Sequence, residues 1–126
     1  TISVTKKQVY VQEKSQSKEP PYFGFAHCDG KVYKQVMMPY YCNHYMGNSD
    51  GTLFTGDTAE DIVLIRPAAK EGETARIKTL AAHHTTWKYQ RSHCHPTFSW
   101  DGRKILYAAD RDDEHCNLFL VEVPEI

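Results

Sequence analysis

Residues 44–51 read HYMGNSDG and residues 95–102 read HPTFSWDG, so each stretch begins with histidine and ends with Asp-Gly. In both stretches the aspartate follows the histidine by six positions, and the two copies are offset by 51 residues. Each Asp-Gly precedes an apolar run, an acidic turn and a second apolar run. A repeat of ~40–50 residues that contains several strands is typical of a β-propeller blade.

The remaining sequence also predicts strands, because its apolar residues alternate with a period of two. Polar turn residues separate six short runs rich in Val, Ile, Leu, Tyr and Phe, and we expect these runs to be strands. They are residues 22–27, 31–38, 52–57, 61–66, 103–110 and 117–123. Residues 68–84 are predicted to form a loop followed by a strand. The Asp-Gly pairs at 29–30, 50–51 and 101–102 predict type I′ turns, in which both central residues have positive φ.

The strand pattern predicts an all-β protein, and the length of the chain predicts that it is a partial β-propeller. A closed propeller needs at least ~4 blades, whereas 126 residues hold about two to two and a half units of 51 residues. Because four-stranded antiparallel blades bury their faces against neighbours, we expect residues 1–126 to be one C-terminal segment of a larger propeller. Its blade repeats start near residues 44 and 95. The alternative is a small stand-alone β-sandwich in which the repeat is coincidental.

Composition excludes several classes of partner. Fifteen Lys and Arg residues against 16 Asp and Glu residues give a net charge of −1, which disfavours nucleic-acid and anionic-membrane binding. No apolar stretch approaches the ~18 residues of a membrane span, and residues 1–12 do not have the apolar core of a signal peptide. We therefore expect a cytoplasmic protein. Its four cysteines, none in a CxxC pair, are interpreted as reduced thiols, with two disulfides as the alternative.

Candidate metal ligands lie in residues 83–96, which read HHTTWKYQRSHCHP. His93 and His95 are two residues apart, so on an extended segment both imidazoles point to the same face. Gln90 adds an oxygen donor, and His44 is the repeat equivalent of His95, which brings it to the same point of a propeller. Three histidines and one amide oxygen suit Mn, Fe, Co, Ni or Zn better than Ca or Mg.

The residues near this cluster also fit structural roles that involve no metal. His93 and His95 are compatible with ordinary turn residues before a strand. Cys94 between them is expected on the opposite face as a small packed thiol. The acidic residues in 110–114 do not have the spacing of a calcium loop and predict a solvated hairpin turn.

Residues 90–96 (QRSHCHP), with the Ser-x-Asp-Gly at 99–102 and the strand after it, resemble the oligogalacturonate lyases. Members of that family are seven-bladed propellers with a Q-x-x-H-x-H-P motif late in the chain. Residues 83–87 (HHTTW) resemble the family's H-x-T-S-W stretch, with Thr86 in place of serine. Cys94 stands where the family motif commonly has proline.

The resemblance implies a metal-dependent lyase that cleaves short oligogalacturonides, the fragments of pectin, by β-elimination. It implies a divalent metal, usually Mn²⁺, held by His44, Gln90, His93 and His95. We further expect His83 and Trp87 to contact substrate. The catalytic base stays unassigned, since the family carries it in blades before the metal-binding histidines, and the remaining blades are expected partners. The alternative is a non-catalytic, TolB-like propeller module for binding or scaffolding.

Overall fold

The computed structural model describes residues 2–5, 21–27, 33–111 and 115–126. This part of the chain is all-β, with ten strands and one 3₁₀ helix, Gln90–Ser92. The strands are β1 (Ile2–Thr5), β2 (Tyr22–His27), β3 (Tyr33–Met37), β4 (Tyr45–Gly47), β5 (Phe54–Asp57), β6 (Asp61–Arg66), β7 (Arg76–Ala82), β8 (Thr97–Phe98), β9 (Lys104–Ala109) and β10 (Asn117–Glu122). No helix in the described ranges is long and apolar enough to span a membrane.

The strands form three antiparallel sheets in chain order. The first sheet is β1-β2-β3, the second is β4-β5-β6-β7 and the third is β8-β9-β10. The second sheet has the four strands expected of a blade, whereas the second repeat contributes three strands among the described residues. The predicted all-β class and antiparallel pairing are therefore confirmed.

The middle sheet is buried on both faces. Along β6, Val63 and Ile65 pack into a core shared with the first sheet, and Ile62 and Leu64 pack into a core shared with the third. All four side chains are fully buried. Since successive side chains of a strand point to opposite faces, a strand with four consecutive apolar residues at its centre fits a sheet between two others. The sheets therefore stack face to face, as propeller blades do.

Equivalent backbone turns mark the two repeats. The amide of Gly51 donates to the carbonyl of Asn48 (3.2 Å), and the amide of Gly102 donates to the carbonyl of Ser99 (2.9 Å). Both glycines have a φ of 71°. The preceding aspartates do not share this positive φ, so the predicted type I′ turns are wrong. Both loops are longer than two residues, and their aspartates serve as side-chain acceptors.

The aspartate of each turn caps the strand that follows it. Asp50 Oδ1 accepts from the amide of Thr52 (2.9 Å), and Asp101 Oδ1 accepts from the amide of Arg103 (3.0 Å). Hydrogen bonds from the hydroxyls of Thr52 and Ser99, and then these amide bonds, hold the pKa of the Asp50 and Asp101 carboxyl groups below the ordinary value. The repeat found in the sequence is thus a repeat of local hydrogen bonding.

The strand predictions agree with the structure in their centres and differ at their ends. Strands β2 and β6 have the predicted bounds, and β5, β9 and β10 are shorter by one or two residues. Residues 31–32, the Asp-Gly at 29–30 and residues 112–114 lie outside the described residues. Three strands were not predicted: β1, β4 and β8. The last two have three and two residues, too few for periodicity to be visible.

Candidate metal centre

Three of the predicted ligands, His44, His93 and His95, converge in the structure. Each offers one ligand atom, and these atoms all lie within 4.8 Å of one another. The ring centroids of His44 and His95 are 3.7 Å apart, and those of His44 and His93 are 5.6 Å apart. The cluster therefore has the ligand type and spacing that a divalent transition metal requires.

The two repeats bring the histidines together at the start of their inner strands. His44 directly precedes β4, and His95 lies two residues before β8. The hydroxyl of Thr97 in β8 contacts Sδ of Met46 in β4 at 2.7 Å, and these residues are also repeat equivalents. Adjacent inner strands thus hold their first residues at one point.

The local geometry of His93 and His95 differs from a plain extended segment. His93 is extended, with φ −73° and ψ 134°, but His95 has φ 44°. The left-handed backbone at His95 turns the chain, and the rings of His93 and His95 end 6.1 Å apart and nearly parallel. The predicted convergence therefore occurs, although the alternation that predicted it does not continue through His95.

One ring nitrogen in the cluster has no protein partner. Nδ1 of His93 is buried and makes no hydrogen bond to the described residues. Buried polar atoms are nearly always hydrogen-bonded or bound to an ion. This orphaned nitrogen and two further imidazoles form a donor set that fits a divalent metal.

Trp87 holds His93 from the side. Its ring meets the His93 ring edge-on with centroids 5.3 Å apart, and its Nε1 donates to the carbonyl of Ala59 (2.9 Å). Trp87 is half-buried and has φ 60°. Together with His84 (φ 55°) and His95, it is one of three non-glycine residues with positive φ among the described residues. Such strained residues cluster at functional sites.

Gln90 begins the 3₁₀ helix that leads into His93. Its side chain is exposed, and its carbonyl accepts from the amide of His93 (3.3 Å). This helical turn fixes the separation in space between the backbones of Gln90 and His93. A ligand role for the Gln90 amide oxygen stays a prediction.

His83 is buried, with 1% of its surface exposed, and both ring nitrogens are used within the protein. Nε2 donates to the carbonyl of Thr58 (3.0 Å), and Nδ1 accepts from the amide of Thr85 (3.1 Å). These contacts anchor the loop after β7 to the turn between β5 and β6. The substrate contacts predicted for His83 and Trp87 stay predictions, and the described contacts of both are structural.

Asp110 organises the same loop from the other side. Its carboxylate accepts from the amide of Thr86 (2.9 Å) and lies 2.8 Å from the hydroxyl of Thr85. Burial raises the pKa of Asp110, but these hydrogen bonds outweigh it and hold the pKa below its ordinary value. The predicted solvated turn is therefore wrong for Asp110, which is 1% exposed. The sequence placed it in an acidic run and gave no sign of its partners.

Cys94 and Cys116 are free thiols, as predicted for these two residues. Cys42 and Cys94 are buried and Cys116 is exposed, while Cys28 lies outside the described residues. Cys94 packs among the apolar residues between the second and third sheets. Burial raises its pKa to about 12. A packed thiol of this kind agrees with the prediction and does not resemble a thiolate ligand.

Sequence reasoning missed one residue of this site. Asp57, the last residue of β5, is fully buried and its Oδ2 lies 2.8 Å from Nδ1 of His44. The sequence showed only an acidic residue at the end of a strand, where a turn was expected. A comparison of the two repeats could have drawn attention to it, since the position equivalent to Asp57 in the second repeat is Ala108.

Comparison with known proteins agrees with the resemblance found in the sequence, although no protein-family model matches the chain. An oligogalacturonide lyase of Pectobacterium atrosepticum is 32% identical in a match that covers 72% of this chain and 27% of that protein. An oligogalacturonate lyase of Dickeya dadantii is 30% identical in a match that covers 67% of this chain and 26% of that protein. The chain thus spans about a quarter of the length of these relatives.

Two solved structures have the same fold over most of this chain. The oligogalacturonate lyase of Vibrio parahaemolyticus matches with a TM-score of 0.66 at 24% identity, over 82% of this chain and 29% of its own. An oligogalacturonate lyase in complex with manganese matches with a TM-score of 0.65 at 25% identity over the same shares. In sequence and in fold, this partial propeller is a relative of the oligogalacturonate lyases, matching about a quarter of their length.

Proposed function

We propose that this chain supplies the metal site of an oligogalacturonate lyase, which cleaves short oligogalacturonides by β-elimination with Mn²⁺ as the metal. The observation that carries the proposal is the convergence of His44, His93 and His95, with one buried nitrogen of His93 that makes no hydrogen bond to the described part of the chain. The relatives named as lyases and the manganese complex of a similar structure support it.

The chemistry of the substrate explains why such a site is needed. The proton on C5 of a galacturonate lies next to a carboxylate and is a poor acid. A divalent cation bound there would neutralise that carboxylate and stabilise the charge that develops as the proton leaves. The three imidazoles, with Gln90 as the proposed fourth ligand, would hold the cation and leave room for the substrate carboxylate.

The elimination itself moves one proton and one electron pair. A general base removes the C5 proton, the C5–H electron pair forms a C4–C5 double bond, and the C4–O bond breaks. The oxygen departs with the neighbouring sugar and takes up a proton, so no water is consumed. None of the described residues is assigned as the base. We propose that the base lies in blades outside this chain.

The third sheet supports the proposal that further blades belong to the functional protein. Leu118 and Leu120 on β10 are 70% and 58% exposed, and Leu106 on β9 lies on the same face. An apolar face of this size fits a neighbouring sheet better than water. The relatives, which are about four times longer than the matched segment, have chain enough for such blades.

The lyase proposal is favoured over a non-catalytic propeller module by the histidine cluster, since a scaffold has no need of three converging imidazoles. Elemental analysis tests it directly. The protein is dialysed against Mn²⁺ and then against metal-free buffer, and the His93→Ala, His95→Ala double variant serves as the control. We expect about one metal per wild-type chain and none in the variant. The complete protein, with the blades that carry the base, should produce the ultraviolet absorbance of an unsaturated uronate from oligogalacturonides once it is loaded with metal.

Two results would count against the proposal. Equal metal retention by the wild type and the double variant would remove the site. Metal retention without any unsaturated product from the complete protein would leave a metal-binding propeller and end the lyase assignment.

A further inference from the structure

Asp57 is a buried carboxylate that contacts two of the three clustered histidines. It is 0% exposed, and Oδ1 accepts from the backbone amide of His44 at 2.7 Å. The imidazole Nδ1 of His44 lies 2.8 Å from Oδ2 and 3.1 Å from Oδ1. Oδ2 also accepts from the backbone amide of His95, at 3.3 Å. One side chain therefore holds both repeat segments that carry the cluster.

The chemistry of a carboxylate determines which nitrogen of His44 is free. An ionised carboxylate only accepts hydrogen bonds, so Nδ1 of His44 must carry the proton. In the neutral imidazole the lone pair is then on Nε2, the nitrogen that is available to a metal. A ligating histidine whose other nitrogen donates to a carboxylate is oriented, fixed in one tautomer and made more basic.

Comparison of the two repeats shows that the blade fold does not require a carboxylate at the position of Asp57. Position 108, which is 51 residues after Asp57, is Ala108 in β9, and the second repeat forms the same inner hairpin without a carboxylate there. A buried carboxylate is costly unless it is paired and hydrogen-bonded. Its carboxylate pairs with the ionisable side chain of His44. The cost is therefore associated with the histidine cluster and not with the strand.

We propose that Asp57 is the positioning residue of the metal centre, acting through His44 and through the backbone of His95. It holds His44 with Nε2 unprotonated, and it fixes the two repeat segments relative to each other. Its negative charge, directly behind one ligand, offsets part of the charge of a bound dication. This inference rests on the proposed metal site. Asp57 lies outside the histidine motif, and its equivalent in the second repeat is not acidic.

The test compares Asp57→Asn with the control Thr55→Val. Thr55 lies two residues earlier on β5, is equally buried, and loses a hydrogen bond to the carbonyl of Val63 without touching a histidine. Mn²⁺ affinity is measured by calorimetry on the complete protein. We expect Asp57→Asn to bind Mn²⁺ about 10- to 100-fold more weakly. Thr55→Val should bind with wild-type affinity even though it lowers the melting temperature.

A second measurement can be made on the wild-type protein, so its main result does not require that any variant folds. Nitrogen-15 NMR of the metal-free wild-type protein reports which imidazole nitrogen of His44 is protonated. We expect the proton of His44 to be on Nδ1, because the Asp57 carboxylate contacts that nitrogen. A carboxylate on β5 that did not contact this ring would not determine its tautomer. In Asp57→Asn we expect a mixture of tautomers, since an amide can donate as well as accept.

The outcomes distinguish this inference from the proposed function. Wild-type affinity in Asp57→Asn, or an Nε2–H tautomer of His44 in the wild type, would overturn the role of Asp57. If the wild type itself binds no Mn²⁺, the proposed function fails, and the Nδ1–H tautomer alone would then make Asp57 a clamp between two repeats without a metal.

Discussion

His44 and His95 are 51 residues apart in the chain, and their imidazole centroids lie 3.7 Å apart. Both stand at the start of an inner strand, and the two strands are neighbours in adjacent sheets. A sequence repeat therefore becomes a pair of side chains in contact, because equivalent positions of adjacent blades meet on the same side of the stack. His93 then joins the pair through local sequence alone.

Metal binding should stabilise the folded protein through this cluster. If Mn²⁺ binds only the native state, free Mn²⁺ at 100 times Kd contributes about 2.7 kcal/mol to the free energy of unfolding. We expect Mn²⁺ to raise the melting temperature of the wild type and to leave that of His44→Ala unchanged. His84→Asn is the matched control, since His84 is exposed and outside the cluster. A shift retained in His44→Ala would contradict its ligand role.

A side chain at Gly56 is expected to shift the backbone of His44 by a few tenths of an ångström. A Cβ at this buried residue would lie 3.1 Å from the carbonyl oxygen of His44 and 3.0 Å from Sγ of Cys42. The backbone oxygen cannot move without shifting the histidine. We expect Gly56→Ala to lower the free energy of unfolding by about 1–3 kcal/mol and to weaken Mn²⁺ binding.

The control for that variant is Gly72→Ala. Gly72 has φ 82° and nothing within 4 Å of an added Cβ. The left-handed backbone makes alanine unfavourable there by about 1–2 kcal/mol, but the residue is remote from the histidines. Urea unfolding and Mn²⁺ titration of both variants separate the two effects. Equal Mn²⁺ affinity in both would show that His44 tolerates a displaced backbone.

The fold was predictable from sequence wherever side chains alternate or repeat. Strand β6 has apolar residues at its four central positions, 62–65, and its place between two sheets follows from them. The short strands β4 and β8 were not predictable, because they are held by pairing with their neighbours and not by their own composition. The type I′ turns failed because an Asp-Gly pair also fits a longer loop in which only glycine takes positive φ.

The candidate site was predictable in its histidines and not in its supporting residues. The H-x-H spacing and the repeat position of His44 point to one cluster. Asp57 and Asp110 act through buried contacts to residues 13 and 25 positions away, and no local pattern encodes such partners. The residues around both aspartates indicate turns. The predicted solvated turn is wrong for Asp110, because its side chain is buried.

Asp110 should make stability depend on pH in the acid range. Its pKa is held below the ordinary value of 3.8 in the folded protein, so its contribution to stability is complete above that value. The contribution is lost as the pH falls through the lowered folded-state pKa. Asp110→Asn should therefore melt lower than the wild type at pH 7, and the difference should narrow toward pH 3.

Thermal melts between pH 3 and 7 measure this difference. Asp61→Asn is the control, because Asp61 is half-buried and its described hydrogen bonds use only its backbone. Its melts give the effect of removing a carboxylate that accepts none of the described side-chain hydrogen bonds. A difference for Asp110→Asn that stays constant from pH 7 to pH 3 would mean that the lost hydrogen bonds, and not the charge, stabilise the loop.

The exposed leucines of β10 predict where another blade lies. Leu118 is 70% exposed in this chain. In the complete protein, a covering blade would bury it, and Leu118→Ala would then lower the free energy of unfolding by about 2–5 kcal/mol. A surface leucine would cost within about 0.5 kcal/mol. Chemical unfolding of the complete protein distinguishes the two values, and the smaller one would refute a blade on this face.

Cys94 lies between two proposed ligands and should play no part in metal binding. Its side chain is 1% exposed and packs in the core between the second and third sheets. We expect Cys94→Ala to retain Mn²⁺ with wild-type affinity and to lose about 1 kcal/mol of stability from the vacated volume. Weaker Mn²⁺ binding with unchanged stability would instead identify the thiol as a ligand.

Alkylation gives an independent measure of the same thiol. With its pKa raised to about 12 by burial, Cys94 is thiolate only in roughly one molecule in 10⁴ at pH 8, and the thiolate is the reactive form. Iodoacetamide should therefore modify exposed Cys116 at least about 100-fold faster than Cys94 in the folded protein. Denaturant should remove the difference, because both thiols are then in water. Peptide mapping by mass spectrometry reads both rates in one sample, and equal rates in the folded protein would place Cys94 at the surface of the metal centre.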